Sequence, residues 1–360
     1  MTGNHPHVSI LILNWNGGRD TVECLETVLK NDYDNFNIIV VDNKSDDNSL
    51  ATISGWAGDS GREIPTLFPD LVLPLVERPV HLWTFRKEKA GDLEPRLRES
   101  LPASLPVKSV LVVANHENSG FAAGNNLAVE IARILFRSTY YFILNNDTVI
   151  ENHAVSELVN VMEEYPAIGA ATSAVYSYHN RAQVANLGGR LTSYGDRKYY
   201  TRSTNERTNR VTFVTGCALM VRDRTFRDHG TLSERFFFGE EDFDFSWRMK
   251  VRKVQMVCVQ GSRVYHKKGV AAEKLLGEKL GNAFLFFFNR MIDMKQHFSH
   301  IRWHIWRHMF LAYVFIWLAK RHVPRSAALR FIRRLHRFSG KYDDAKKHTL
   351  DEIFSVTSAD

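Results

Sequence analysis

The chain has 360 residues, 44 % hydrophobic and 24 % charged. That suits one large or two modest globular domains and excludes a disordered, collagen-like or multi-span membrane chain. Three distant cysteines (Cys24, Cys217, Cys258) with no C-x-x-C pair argue against a disulfide scaffold or cysteine zinc site and fit a reducing compartment. The net charge is +7, yet residues 295–342 hold eleven Lys or Arg and no acidic residue, leaving 36 basic against 40 acidic residues elsewhere. The basicity is local, so it asks for a local anionic partner.

No internal repeat or low-complexity tract breaks the chain. The opening apolar run VSILILN (8–14) is followed at once by polar residues, which predicts a strand rather than a signal peptide. A helix follows from about Asp20 to Lys30, with Val22, Leu25, Val28 and Leu29 inward. FNIIVVDN (36–43) reads as a second buried strand, after which Ser45 or Asp46 caps a short helix. Residues 65–106 carry seven of the ten prolines, longer than a compact crossover needs. This stretch reads as a surface insertion (about 58–107) with one strand at 80–85, not as a separate domain. SVLVVAN (109–115) is the next strand and leads through Gly120 and Gly124 into a helix ending near Phe136. TYYFILNND (139–147) is another, ending in polar residues. Apolar strands separated by helices imply a parallel sheet covered on both faces. Ligands bind such sheets at the carboxyl ends of the strands, where Asn14, Asp42, Asn115 and Asp147 fall. The second half is mixed: a helix near 153–165, a Gly/Tyr-rich stretch (187–200), a strand VTFVTGCALMV (211–221), the acidic turn FFFGEEDFDFSWR (236–248), and helical, aromatic, basic sequence beyond Lys274.

Four clusters carry chemistry. Asn145-Asn146-Asp147 puts a carboxylate at a strand's end beside amides, which suits a hard divalent cation that also touches phosphate, or else a simple turn cap. Glu240-Glu241-Asp242 and Asp244 crowd carboxylates. Their repulsion raises at least one pKa and favours a general base, while a helix N-terminus equally welcomes them. Asn118 to Asn126 sets Gly120 and Gly124 about a helix start, allowing close backbone approach to an anion, without matching a dinucleotide or P-loop fingerprint. His266 in VYHKKG ends an apolar strand, where a ring is structural or completes a metal shell.

In order, LILNWNG, IIVVDNKSDDNS, NSGFAAGNN, FILNNDT, VTGCALMV, FGEEDFDFSWR and VYHKKG resemble glycosyltransferase family 2, and within it the bacterial rhamnosyltransferase-like members, over about residues 8–270. The resemblance implies an α/β GT-A fold: a mostly parallel central sheet flanked by helices over 1–272, with a C-terminal helical extension (273–342) and a tail (343–360). It implies an inverting transfer of a sugar, a deoxyhexose such as rhamnose among the candidates, from a dTDP- or UDP-sugar donor to a glycan or lipid-linked glycan. The family's metal-binding D-x-D falls on Asn145-Asn146-Asp147, where only the last position keeps its carboxylate. Asp242 takes the place of the base, and Asp147 with His266 that of the site for Mg²⁺ or Mn²⁺. Donor contacts fall on Asn14, Asn16, Asp42, Asn43, Asn118, Gly120, Asn125, Asn146 and Asp147, and acceptor contacts on Gly216, Glu241 and Trp247. The rivals are a sugar-nucleotide nucleotidyltransferase, which wants a Gly-rich, basic loop where this chain has NWNGGRD, and a non-catalytic protein of the same fold.

The C-terminal segment has its own pattern. Trp303, Trp306, Phe310, Tyr313 and Trp317 recur at helical spacing, and Ile305, Met309, Ala312 and Ile316 are expected to widen that face, with His297, His300, His304 and His308 opposite. The longest apolar run, 309–319, is eleven residues, too short to span a bilayer. Two readings stand: a helix packed on the catalytic domain, or an interfacial helix on an anionic membrane at the cytoplasmic face. The Trp- and His-rich apolar face favours lipid over nucleic acid.

Overall fold

The computed structural model describes residues 5–58, 63–89, 91–204, 206–267 and 279–355. Residues 59–62 and 90 of the expected insertion, and 268–278, the end of the expected catalytic domain and the start of the extension, lie outside the described residues.

The first half alternates as its apolar runs dictate: β1 (Val8–Asn14), α1 (Gly18–Leu29), β2 (Phe36–Asp42), α2 (Ser49–Gly58), α3 (Pro69–Val72), β3 (Leu82–Arg86), α4 (Leu93–Ser100), β4 (Val110–Ala114), α5 (Phe121–Leu135) and β5 (Tyr140–Asn145). The second half continues with β6 (Thr148–Ile150), α6 (Ala154–Glu164), β7 (Ile168–Ser177), β8 (Asn180–Asn186), β9 (Gly189–Leu191), β10 (Arg197–Tyr199), β11 (Thr208–Val211), β12 (Ala218–Arg222), α7 (Asp223–His229), α8 (Glu241–Val251) and β13 (Gln255–His266). Four further helices follow: α9 (Lys279–His297), α10 (His300–Ala319), α11 (Arg325–Lys341) and α12 (Lys347–Ser355).

Eleven strands form one sheet, with the path β11-β13-β7-β12-β5-β1-β2-β4-β3. The five strands β3, β4, β2, β1 and β5 run parallel, and β12 joins them antiparallel to both β5 and β7. Register aligns the strand ends that matter: Asn14 lies opposite Asp42, Asp42 opposite Ala114, and Leu13 opposite Asn145. The polar residues after these strands therefore form one rim. Apolar side chains fill both faces, one layer holding Ile10, Val40 and Phe142, the other Leu11, Ile39 and Ile143, so alternate residues of each strand point to opposite covers.

Four expectations change here. The insertion is more than surface. Its strand extends the main sheet as the edge partner of β4, and Phe68, Val72 and Leu97 are fully buried. The Glu26 carboxylate of α1 clamps it, accepting from Trp56 Nε1 (2.7 Å), the Val76 amide (2.8 Å) and the Arg78 guanidinium. The expected strand 211–221 is two strands, β11 and β12, separated by a loop whose polar and glycine positions (Thr215, Gly216) serve the site instead of a ladder. The tail begins inside the fold: Ala345 bridges to Phe236, and Leu350 and Ile353 of α12 are buried.

The fourth concerns α10. Trp303 and Trp306 face inward and Phe310 and Trp317 are half-buried, but Tyr313, Ile305, Met309 and Ile316 are exposed. At 3.6 residues per turn Ile305 sits about 200° round from Trp303, so the helix has two apolar faces rather than one wide one. The inner face joins a separate core in which Phe243 and Trp247 of α8 pack with Phe288, Met291 and Leu318 from α9 and α10.

Candidate active site

At the rim, amide side chains bind one another. Asp42 is 1 % exposed and both its oxygens are taken: Asn14 Nδ2 (2.6 Å) and Ser45 Oγ (2.6 Å) donate to one, the Ser45 amide (3.0 Å) to the other. Asn43 is a second hub. Its Oδ1 accepts from Asn115 Nδ2, the Ser119 amide and Ser119 Oγ, and its Nδ2 donates to Asn118 Oδ1 and the Gly120 carbonyl. Asn125, also buried, donates to the Phe121 carbonyl. Asn14, Asp42, Asn43 and Asn125, the expected donor contacts in this cluster, are thus buried and hydrogen-bonded to one another's loops. The backbone explains Gly120: its φ is +87°, and a Cβ there would meet the Phe237 carbonyl at 2.4 Å. Asn16 (φ 52°) and Asn118 remain on the outer edge, with Asn16 Oδ1 accepting from the Asp46 amide.

The strand-end triplet splits. Asn146 turns toward the β1–α1 loop and donates to Asn14 Oδ1 (3.2 Å), Thr21 Oγ1 (3.1 Å) and the Gly17 carbonyl (3.3 Å). Asn145 and Asp147 turn the other way, to His266: its Nε2 is 3.1 Å from Asp147 Oδ1 and 3.2 Å from Asn145 Nδ2. Antiparallel pairing of β6 with the end of β13, His266 opposite Thr148, brings them together. Burial pushes the Asp147 pKa up, but the hydrogen bond and charge of His266, with Lys267 behind, outweigh it and hold the carboxyl below its usual range. Asn145 Oδ1 is buried without a partner. A carboxylate, an imidazole and an orphaned amide oxygen fit a divalent cation that shares phosphate oxygens. Asn145 was not among the expected ligands, although it stands first in the NND motif.

Asp242 lies in the first turn of α8. Its Oδ2 accepts from the Gly216 amide (3.3 Å), its Oδ1 is 3.4 Å from Arg197 Nη1, and its side chain is 22 % exposed. Loop 215–217 spans the two centres, because the Cys217 carbonyl accepts from the Asn145 amide (2.9 Å) while the adjacent Gly216 donates to Asp242. Arg197 is enclosed by the rings of Phe213, Tyr199 and Phe286 at 5.2–5.9 Å. Burial lowers its pKa, but Asp242, Tyr199, Glu240 and Glu241 more than reverse this and hold it cationic. Nothing local in GDRKYY marks this arginine, since the pairing spans 45 residues and depends on the β9–β10 hairpin.

Two of the residues expected on the acceptor side are buried. Glu241 turns back to accept from the Gly239 (2.7 Å) and Glu240 (2.9 Å) amides, and burial, then the Asp242 charge, pushes its pKa up to about 7. Trp247 is buried between Phe243, His297 and Phe298. Gly216 alone of the three meets Asp242 directly.

Beneath the turn lies a buried charge lattice. Glu240 pairs with Arg290. Asp244 accepts from Arg248 Nε (2.7 Å) and lies 3.1 Å from His297 Nε2, which is 3.2 Å from Asp293 Oδ1. Asp244, Asp293 and His297 form a group of three possible metal ligands among the described residues. Three carboxylates face two guanidiniums here, and a proton on His297 balances the remaining charge. Burial opposes that proton, but Asp244 and Asp293 outweigh it and raise the His297 pKa.

The profile of the family described as glycosyltransferase like family 2 matches residues 96–280, just over half the chain, and that of glycosyl transferase family 2 matches residues 9–64. The chain belongs to glycosyltransferase family 2, and its sheet, strand-end site and C-terminal helices are a GT-A architecture. No curated protein matches it. Solved structures it is similar to include S. aureus TarS 1–349 (11 % identity, TM-score 0.47, covering 80 % of this chain and 65 % of that one). GalNAc-T7 with UDP, GalNAc and Mn²⁺ gives 13 %, 0.48, 86 % and 55 %. The mannosyltransferase PcManGT from Pyrobaculum calidifontis, in complex with GDP-Man and Mn²⁺, gives 13 %, 0.49, 99 % and 81 %. The chain thus spans less than two thirds of the first two.

Proposed function

We propose that the chain is an inverting glycosyltransferase. It moves a hexose or deoxyhexose such as rhamnose from a dTDP- or UDP-sugar to a hydroxyl of a glycan or lipid-linked glycan, at the cytoplasmic face of a membrane. The observation that carries this reading is loop 215–217, which holds a half-open carboxylate, Asp242, on one side and the Asp147–His266–Asn145 cluster on the other.

Asp242 accepts the proton of the attacking hydroxyl. The Gly216 amide and Arg197 fix its orientation toward that hydroxyl. Asp147, His266 and Asn145 would hold Mg²⁺ or Mn²⁺, which when bound supplies positive charge for the departing diphosphate. Asn146 keeps the β1–α1 loop in place beside it. A direct displacement leaves the anomeric centre inverted and needs no nucleophile from the chain.

Release of nucleoside diphosphate from a panel of UDP-, dTDP- and GDP-sugars, with the product's anomeric configuration read by NMR, tests the reading. Retention of configuration, or no turnover of any donor with any acceptor, sinks it. In calorimetry with a nucleoside diphosphate, Asp147→Ala should abolish the gain in affinity that Mn²⁺ gives the wild type. Equal affinities with and without metal in both proteins would remove the cation from the site.

A further inference from the structure

We infer that the outer face of the α10–α11 hairpin is a docking surface for an anionic lipid bilayer. The inference rests on the proposed membrane-borne acceptor but is argued from another part of the molecule. Ile301, Ile305, Met309, Tyr313 and Ile316 are 74, 60, 63, 54 and 54 % exposed, and their spacing of four, four, four and three makes one ridge along α10. This is not the tryptophan face, which is used up in the core. Large apolar side chains held this far out of a core that already buries the opposite side of the same helix have no role in folding, and a contiguous ridge of them marks an interaction site.

Charge selects the partner. The His308 and His336 rings meet at 5.8 Å, and both residues are exposed, so the seam between α10 and α11 opens to solvent there. The ridge lies on the α10 side, while α11 presents exposed Arg330, Arg333 and Arg337 with Leu329, 45 % exposed, among them. No acidic residue occurs anywhere in residues 295–342. An apolar strip bordered by cations and free of carboxylates is complementary to acyl chains beneath anionic headgroups. It is poorly suited to a second copy of itself, whose matching cations would face it. No described helix is long and apolar enough to cross a membrane, so the fit is to the interface plane.

Cosedimentation of the full chain with phosphatidylglycerol-containing and pure phosphatidylcholine vesicles tests this. Point variants are used because deleting residues 296–360 would also remove His297 and the cover over Trp247. The wild type should pellet with the anionic vesicles at low salt and bind less at high salt. Each Arg→Gln change at 330 or 333 should weaken binding about fivefold. Ile305→Glu with Met309→Glu should abolish it while leaving the thermal midpoint unchanged. Wild type that ignores anionic vesicles at low salt, or a double variant that binds like wild type, overturns the inference. So does a wild-type dimer in light scattering that the double variant converts to monomer without any vesicle binding. Donor hydrolysis in the same samples separates the two readings: vesicle binding without turnover fails the transferase, and turnover without binding fails the surface.

Discussion

The two walls of the site are held by different forces. On the proposed donor wall, at the ends of β1, β2 and β4, Asn14, Asp42, Asn43, Asn115 and Ser119 satisfy one another almost entirely through short-range hydrogen bonds with one buried carboxylate among them. On the proposed base wall, Glu240, Asp244 and Asp293 meet Arg290, Arg248 and His297 in a buried array of ionisable groups. Hydrogen bonds between amides are directional and indifferent to pH near neutrality. Buried charges are strong only while balanced, so the base wall is the one whose shape depends on protonation.

That contrast can be broken in order of effect. Asp242→Asn should cost roughly 10²–10⁴ in transfer rate, with donor affinity nearly unchanged, because only proton acceptance is lost. A transfer rate near wild type would shift the base to another acidic group. Arg290→Ala strands Glu240, whose Oε2 already lacks a partner, and should destabilise the fold by about 3–5 kcal/mol, read from urea unfolding. Adding Glu240→Leu should recover part of that loss, and no recovery would mean that packing of Arg290 on Phe243, at 3.7 Å, outweighs charge. On the other wall, Asn43→Ala leaves several buried donors and acceptors unpaired and should cost about 1–3 kcal/mol, equally at pH 6 and pH 9.

The smallest effect is the most discriminating. His297 has its folded pKa raised from 6.5 to about 9, so its contribution is fully present below pH 6.5 and disappears as pH rises through 9. Asp293, raised to about 7, works in the same direction over a lower range. The thermal midpoint should therefore fall between pH 6.5 and 9, and His297→Gln should flatten that slope. An unchanged slope in the variant would mean the lattice does not titrate.

The donor wall was more legible in the sequence than the base wall, for a reason visible in particular residues. Asn14, Asp42 and Asn145 each end an apolar run, and register carries them to one rim without further information. Even so, strand ends say where a side chain sits, not which way it turns: Asp42 and Asn43 face inward, and Asn146 parts from Asp147. Asp242 is readable as part of an acidic helix start, but Arg197 and His297 reach it or its helix across 45 and 53 residues, distances over which spacing carries nothing. β7 gives no such signal, because Ile168–Ser177 is mostly small residues buried in the sheet's interior, without the β-branched run that marks the others. On α10 the composition reveals the apolar content, but only the packed helix shows that Trp303 and Ile305 face opposite ways.

Cys217 gives the connecting loop a property of another kind. Burial pushes its thiol pKa up to about 12, as it does those of Cys24 and Cys258, so in the folded chain none of the three is a competent nucleophile at neutral pH. Cys24 and Cys258 are fully buried in the two sheet-face cores; Cys217, 8 % exposed at the margin of the Cys24 core, also sits in the backbone bridge between the Asp147 cluster and Asp242. Its alkylation requires that bridge to open, so the rate of alkylation reads the opening. The native chain thus carries its own spectroscopically silent probe at the centre of the site, and a bound nucleotide that clamps the loop registers as slower alkylation.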